Sequence, residues 1–155
     1  MSVSRHALHH QGPTFSRLIM GYWRLMEWQL SPAALLDLMK YHLDLGVTTI
    51  DHADIYGGYQ CEEAFGKALR LEPSLRSRME IVSKCGIALT AKPEHALNHY
   101  NTSKGHIVAS AEAWITCTRR PGLKSTRAAP NTTALTIMPN SSITYISPTI
   151  FGCDS

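Results

Sequence analysis

The chain has 155 residues, the length of one ordinary domain, and its 44% apolar and 17% charged residues are typical of a globular protein. A net charge of +3 is too small to favour binding to nucleic acid or to a membrane surface. The four cysteines form no C-x-x-C pair, and the sequence shows neither a secretory signal nor a membrane span. We therefore expect a cytoplasmic protein with free thiols.

The N-terminal region combines a polar segment with a first strand. Residues 1–13 are polar and end in Gly12-Pro13, so we expect a mobile segment or a short hairpin lid. The run Ser16-Arg17-Leu18-Ile19-Met20 predicts the first strand, which closes at Gly21.

A helix is predicted directly after Ser31-Pro32, because serine is a favoured N-cap and proline is favoured at the first helical position. Gly46 follows the helical pattern as a C-cap glycine would. The residues expected to face a sheet recur at helical spacing: Leu35, Leu38, Met39, His42 and Leu45.

Residues 47–115 repeat this alternation of strand and helix. Residues 47–50 and 80–83 predict two further strands, with a helix at 60–71 between them. A long loop at 85–101 leads into a third helix that begins near 102. The order βαβαβα predicts the α/β class, with a parallel sheet and right-handed crossovers.

Residues 116–155 differ in composition from the rest of the chain. They contain eight threonines, five serines and four prolines, and Asp154 is their only acid. No helical or alternating period runs through them, and proline recurs every nine residues. We expect three parts: a polar segment at 1–13, a folded part at 14–115, and an aberrant, disordered tail at 116–155 that lacks stable packing.

The strongest chemical signal lies at the ends of two predicted strands. Asp51 and Tyr56 follow the second strand, and Lys84 follows the third. Parallel α/β barrels carry their chemistry at the carboxyl ends of strands, so we expect the three side chains to meet, with Asp51 in salt-bridge reach of Lys84. Such a group can donate a proton, because a cation lowers a phenol pKa. Each residue also has an ordinary interpretation as a cap, a wall aromatic or a surface charge.

The same residues carry a resemblance to a known family. Asp-x4-Tyr followed by a strand-end lysine resembles the motif of the aldo/keto reductases. The flanking stretches Met20-Gly21-Tyr22-Trp23-Arg24 and Tyr56-Gly57-Gly58-Tyr59-Gln60-Cys61-Glu62 are similar to the YdhF-like branch. The resemblance covers about residues 11–113. It implies the N-terminal part of a (β/α)8 TIM barrel, about three βα units and therefore incomplete.

The resemblance also implies a chemistry. Family members reduce a small carbonyl substrate to an alcohol with hydride from NADPH. By resemblance Tyr56 is the general acid, Lys84 lowers its pKa, and Asp51 orients Lys84. The residues expected to line the cofactor are Gly21, Tyr22, Trp23 and Asp51. The histidine that the family places after its fourth strand has no match, so we expect a truncated form with little or no activity.

Two other interpretations remain open. The chain could be a non-catalytic product of a decaying gene that only associates with a partner, or with itself through an exposed half-barrel edge. Alternatively, Asp51-His52-Ala53-Asp54 supplies oxygen and nitrogen ligands, as in a metal-dependent hydrolase. That interpretation needs ligands from other strand ends, where only Lys84 and Cys85 are available.

Overall fold

A computed structural model describes residues 3–7, 9–10, 12–94, 96–118, 134–137 and 143–147. Its N-terminal region is an antiparallel hairpin of β1 (Arg5–Ala7) and β2 (Thr14–Ser16). The Ser16 hydroxyl accepts hydrogen bonds from the amides of Thr48 and Thr49, and Arg5 pairs with Glu80 at 2.8 Å. The hairpin therefore covers the amino ends of the central strands, and it is not a lid over their carboxyl ends.

The first barrel strand is shorter than predicted. β3 spans Ile19–Gly21, and a 3₁₀ turn at Leu25–Trp28 follows it. Ser16 belongs to the hairpin instead, because its amide and hydroxyl are bonded across to the 48–49 segment.

The first helix, α1 (Pro32–Asp44), begins and ends at the predicted residues. The Ser31 hydroxyl accepts a hydrogen bond from the amide of Ala34 at 3.2 Å, and Gly46 follows the helix with φ of 85°. Leu45, which was predicted to face the sheet, is 43% exposed because it lies past the last helical turn. The buried residues of α1 are Leu35, Leu36, Met39, His42 and Leu43.

The first three strands of the central sheet run parallel, as predicted. β4 (Thr49–Asp51) lies between β3 and β5 (Glu80–Cys85), and α2 (Cys61–Leu69) with a 3₁₀ turn at Pro73–Arg78 connects β4 to β5. In this register Gly21 pairs with Asp51, and Asp51 pairs with Val82. The carboxyl ends of the strands therefore lie side by side.

The long loop after β5 contains a small hairpin of its own. β6 (Ile87–Ala88) pairs with β7 (His99–Tyr100), and α3 (Lys104–Thr118) follows. Trp114 is the buried residue of α3, whereas Val108 is exposed.

The region beyond residue 118 contributes two strands to the sheet. β8 (Ala134–Ile137) pairs with β9 (Ile143–Ser147), and β9 runs antiparallel to β5, giving the order β3-β4-β5-β9-β8. They lie within the segment predicted to be an aberrant, disordered tail, and main-chain pairing of this kind needs no side-chain periodicity. The remaining residues of 119–155 lie outside the described residues, so the lack of stable packing stays a prediction.

The hydrophobic core lies between the sheet and the helices. Along β5 burial alternates, so that Ile81, Ser83 and Cys85 face the helices, while Lys84 is only half-buried on the other face. The largest fully buried apolar side chains are Tyr22, Phe65, Met39, Ile50, Met79 and Ile81. Within the described part of the chain, none of the helices is both long and apolar enough to cross a membrane.

Candidate active site

Two neighbouring strands bring Asp51 and Lys84 together. Asp51 is the last residue of β4, and Lys84 is the penultimate residue of β5. The Lys84 ammonium donates to Asp51 Oδ1 at 2.5 Å and to the carbonyl oxygen of His52 at 2.6 Å. The predicted ion pair is therefore present, and both side chains are about one-third exposed.

Tyr56 is held beside this pair by a tight turn. Gly57, Gly58 and Tyr59 have φ of 58°, 62° and 70°, and they turn the chain from the end of β4 into α2. A Cβ on Gly57 would lie 2.5 Å from Met26 Cγ and 2.7 Å from Cys61 Sγ, so only glycine fits there. Asp51, Tyr56 and Lys84 form what we call the strand-end site.

The hydroxyl and the ring of Tyr56 contact different members of the strand-end site. The Tyr56 hydroxyl donates to Asp51 Oδ2 at 3.1 Å, whereas the Lys84 ammonium lies 5.2 Å from the centre of the Tyr56 ring. Burial, together with the charge and hydrogen bond of Asp51, raises the pKa of Tyr56 to about 12. This net rise comes from burial and from the carboxylate, so the lowering expected from the Lys84 charge stays a prediction.

The residues predicted to line a cofactor fall into two groups. Gly21 is exposed, with open space where a Cβ would lie, and Trp23 is 69% exposed. Tyr22 is fully buried, and its hydroxyl contacts Nε2 of His42 at 2.8 Å. The Tyr22 side chain therefore lies in the helix-facing core, and the assignment of this residue to the cofactor stays a prediction.

The side chains of the Asp-His-x-Asp stretch diverge. The His52 ring is stacked on Tyr22 at 5.2 Å, and burial, with a smaller contribution from Lys84, lowers its pKa to about 3. Asp54 instead accepts a hydrogen bond from the Ser110 hydroxyl of α3 at 2.8 Å. No group of three or more histidine, cysteine or acidic residues within the described ranges is placed to hold a metal ion. This geometry gives the metal-hydrolase interpretation no support.

A buried acid next to the strand-end site was missed by sequence reasoning. Glu62 is only 7% exposed, and it accepts a short hydrogen bond from the Ser83 hydroxyl. Burial raises the pKa of Glu62 to about 7, although the Ser83 hydrogen bond opposes the shift. Glu62 and Glu63 are adjacent in the sequence, and only the helix phase relative to Phe65 could have indicated which one faces inward.

Comparison with known proteins identifies the family. The sequence profile of the aldo/keto reductase family matches residues 17–116. The chain belongs to the aldo/keto reductase family. Oxidoreductase YdhF of Escherichia coli K12 is 63% identical over 110 residues, which is 71% of this chain and 37% of YdhF. The uncharacterized oxidoreductase YcsN of Bacillus subtilis is 58% identical over 100 residues, which is 63% of this chain and 33% of YcsN.

Solved structures of the family agree with the fold. The crystal structure of a putative aldo-keto reductase from Pseudomonas aeruginosa superposes with a TM-score of 0.61 at 26% identity, over 75% of this chain and 42% of that one. The described fold is thus the N-terminal part of an aldo/keto reductase TIM barrel. The chain spans little more than a third of the length of the curated relatives that it matches.

Proposed function

We propose that residues 17–116 carry the proton-donating part of an NADP-dependent oxidoreductase site that reduces a small carbonyl compound to an alcohol. The observation that carries this proposal is the strand-end site itself, in which Tyr56 and Lys84 both contact the carboxylate of Asp51. The family match and the relatives named as oxidoreductases support the reaction class.

In the proposed reaction NADPH supplies the hydride to the carbonyl carbon. The Tyr56 O–H bond breaks as its proton goes to the carbonyl oxygen, which leaves a phenolate and an alcohol. Lys84 places a positive charge near that phenolate, and Asp51 holds Lys84 in position. Before the transfer the Tyr56 hydroxyl has to turn from Asp51 to the substrate oxygen, because Asp51 accepts its hydrogen bond in the structure.

Gly21 and Trp23 fit a role in holding the nicotinamide end of the cofactor. Gly21 pairs in register with Asp51, and the space above it is open. Trp23 offers an exposed ring at the same end of the sheet. Tyr22 would support the cofactor only indirectly, through its amide, which donates to the carbonyl oxygen of Asp51 at 3.1 Å.

We further propose that these 155 residues alone have little carbonyl reductase activity. Residues 116–155 contain no histidine that could help to place the carbonyl oxygen. Loss of a positioned acid-base group typically costs about 10²–10⁴ in rate, and hydride transfer needs both reactants held at near-attack distance. The matched segment is 37% of the length of YdhF, so most of such a site would come from elsewhere.

A chimera tests the function independently of that deficit. Residues 17–116 would replace the matching segment of YdhF, and NADPH oxidation would be followed with aldehydes, diones and quinones. We expect turnover that falls at least 10²-fold with Tyr56→Phe and is unchanged with Tyr41→Phe, which alters an exposed tyrosine of α1. A folded chimera whose turnover does not depend on Tyr56 would overturn the proposed function. The 155-residue chain, assayed in parallel, should stay near background.

Self-association is proposed for the edge of the sheet formed by β3. Among the described strands, β3 has a neighbour only on the β4 side. Its first residue, Ile19, and the preceding Leu18 are both exposed. The edge of β5, expected to be open, is paired with β9. Size-exclusion chromatography with light scattering should detect a dimer that Ile19→Lys weakens. A chain that is monomeric at all concentrations would argue against this contact.

The cytoplasmic location stays a prediction.

A further inference from the structure

Glu62 connects the first turn of α2 to the strand that carries Lys84. Its carboxylate accepts a hydrogen bond from the Ser83 hydroxyl. Ser83 is the residue before Lys84, and it lies on the helix-facing side of β5. Both side chains are buried, with 7% exposure for Glu62 and 1% for Ser83. Since buried hydrogen bonds to charged groups are among the stronger ones, this contact fixes the distance between helix and strand.

The same helical turn is also bonded to Tyr56. The carbonyl oxygen of Tyr56 accepts hydrogen bonds from the amides of Gln60 and Cys61, each at 3.2 Å. Glu62 is the next residue. The turn therefore has Tyr56 at one end and the Ser83 contact at the other. A change in the Glu62 contact would move Tyr56 relative to Lys84.

We propose that Glu62 is a positioning residue of the strand-end site and that it makes this site sensitive to pH. Glu62 holds the turn that carries Tyr56 against β5, and its ionisation changes the environment of Tyr56. The role in catalysis rests on the proposed function, whereas the coupling itself is a property of this chain. Glu62 touches neither Tyr56 nor Lys84 directly, so its influence passes through the turn, Ser83 and the local field.

Several charged or titratable groups surround Glu62. The neighbouring acid Asp54 raises the pKa of Glu62 in addition to burial, whereas the Lys84 cation lowers it. From α3, His106 lies 4.0 Å from Asp54, and Cys117 has a pKa raised by burial and then by the Glu62 charge. The remaining groups that act on Glu62 or on Asp54 are Cys61, Ser83, Lys92 and Ser110.

The proposal is tested by nuclear magnetic resonance on the full chain labelled with ¹³C at the tyrosine Cζ. The Tyr56 resonance is assigned as the one missing from Tyr56→Phe. Between pH 5.5 and 8.5 we expect this resonance to move with a midpoint near the pKa of Glu62, about 7. The movement should disappear in Glu62→Gln. It should persist in Glu63→Gln, which removes an exposed charge bonded to Lys67 on the same helix, and in His106→Gln.

A Tyr56 resonance without a midpoint, or a midpoint that is unchanged in Glu62→Gln, overturns the proposal, as does a midpoint lost in His106→Gln. Should Glu62→Gln fail to fold, Ser83→Ala takes its place. Loss of the Ser83 hydrogen bond, which favours ionised Glu62, should move the midpoint to higher pH, and an unmoved midpoint overturns the proposal. This titration involves no NADPH, so a folded chimera without Tyr56-dependent turnover would overturn the proposed function and leave the titration result standing.

Discussion

The polar side chains on the two faces of β5 differ in their exposure to solvent. On one face Lys84 and Asp51 remain about one-third exposed, and each has a partner of opposite charge. On the other face Glu62, Ser83 and His52 are almost fully buried. Because burial penalises the charged form, the helix-facing side shifts the pKa of Glu62 upward and that of His52 downward. The proposed chemistry therefore lies on the open face, and the proposed pH dependence lies on the buried face.

The buried face also leaves polar atoms without partners. Both ring nitrogens of His52, Oδ1 of Asp54 and Nε1 of Trp114 have no hydrogen-bond partner among the described residues. Each such atom costs about 1–3 kcal/mol relative to a satisfied one. The aromatic packing of His52 against Tyr22 and Phe65 offsets part of that cost.

The largest change in the free energy of unfolding is expected when a large side chain of the buried face is replaced by a small one. Phe65 is fully buried and packs edge-on against Tyr22 at 5.1 Å. We expect Phe65→Ala to lower the free energy of unfolding by about 3–5 kcal/mol, as measured by urea denaturation. Leu71→Ala, at an exposed position close in sequence, is the control and should change it by less than about 0.5 kcal/mol. Equal effects would show that this layer is not the core.

We expect the burial of His52 to make the fold less stable at low pH. A histidine whose folded pKa is lowered contributes stability that is complete above its unfolded pKa of about 6.5 and is lost as the pH falls. At pH 4 the loss should reach about 3 kcal/mol, since each unit of pKa difference corresponds to about 1.4 kcal/mol. We expect His52→Phe to remove this acid loss in urea denaturation from pH 4 to 7. The exposed control His10→Phe should leave it intact, and a variant that keeps the acid loss would contradict the assignment.

We expect the burial of Glu62 to make the fold less stable as the pH rises. A carboxyl whose folded pKa is raised destabilises the fold increasingly as the pH rises from its unfolded value of about 4.3 to its folded value, about 7. The free energy of unfolding should therefore fall by about 2 kcal/mol between pH 4.5 and 6 through this residue. Glu62→Gln should abolish the fall in thermal and urea denaturation, while Glu63→Gln should preserve it. A fall of the same size in both variants would assign it to another group.

The smallest effect on stability is expected at the open face. Asp51→Asn breaks an ion pair whose side chains are about one-third exposed, and it should cost about 0–1 kcal/mol in urea denaturation. It should nevertheless lower the pKa of Tyr56 from about 12 toward its ordinary value, because the Asp51 charge and hydrogen bond contribute to the rise. Tyrosinate absorbance, taken as the difference from Tyr56→Phe, measures that pKa. Asp37→Asn, at an exposed site on α1, serves as the matched control. An unchanged Tyr56 pKa would mean that burial alone sets it.

The sequence by itself determined the local features of this protein. The Ser31 cap, the Gly46 stop and the strand ends at Asp51 and Lys84 are encoded by neighbouring residues, and the structure has them within a few positions. The family motif rests on such local spacing, so the family and the parallel α/β class followed from the sequence. The meeting of Asp51 with Lys84 followed as well, because adjacent parallel strands align their carboxyl ends.

Only the tertiary structure decided which groups touch each other. The Tyr56 hydroxyl bonds to Asp51 while the Lys84 ammonium lies over the Tyr56 ring, and Tyr22 turns into the core, because rotamers and packing across elements set these directions. The contact between Glu62 and Ser83 joins residues 21 positions apart. The pairing of β9 with β5 spans a longer separation still and depends on main-chain groups that every residue carries. Local patterns carry no signal for such pairings, since the partner is chosen by the fold.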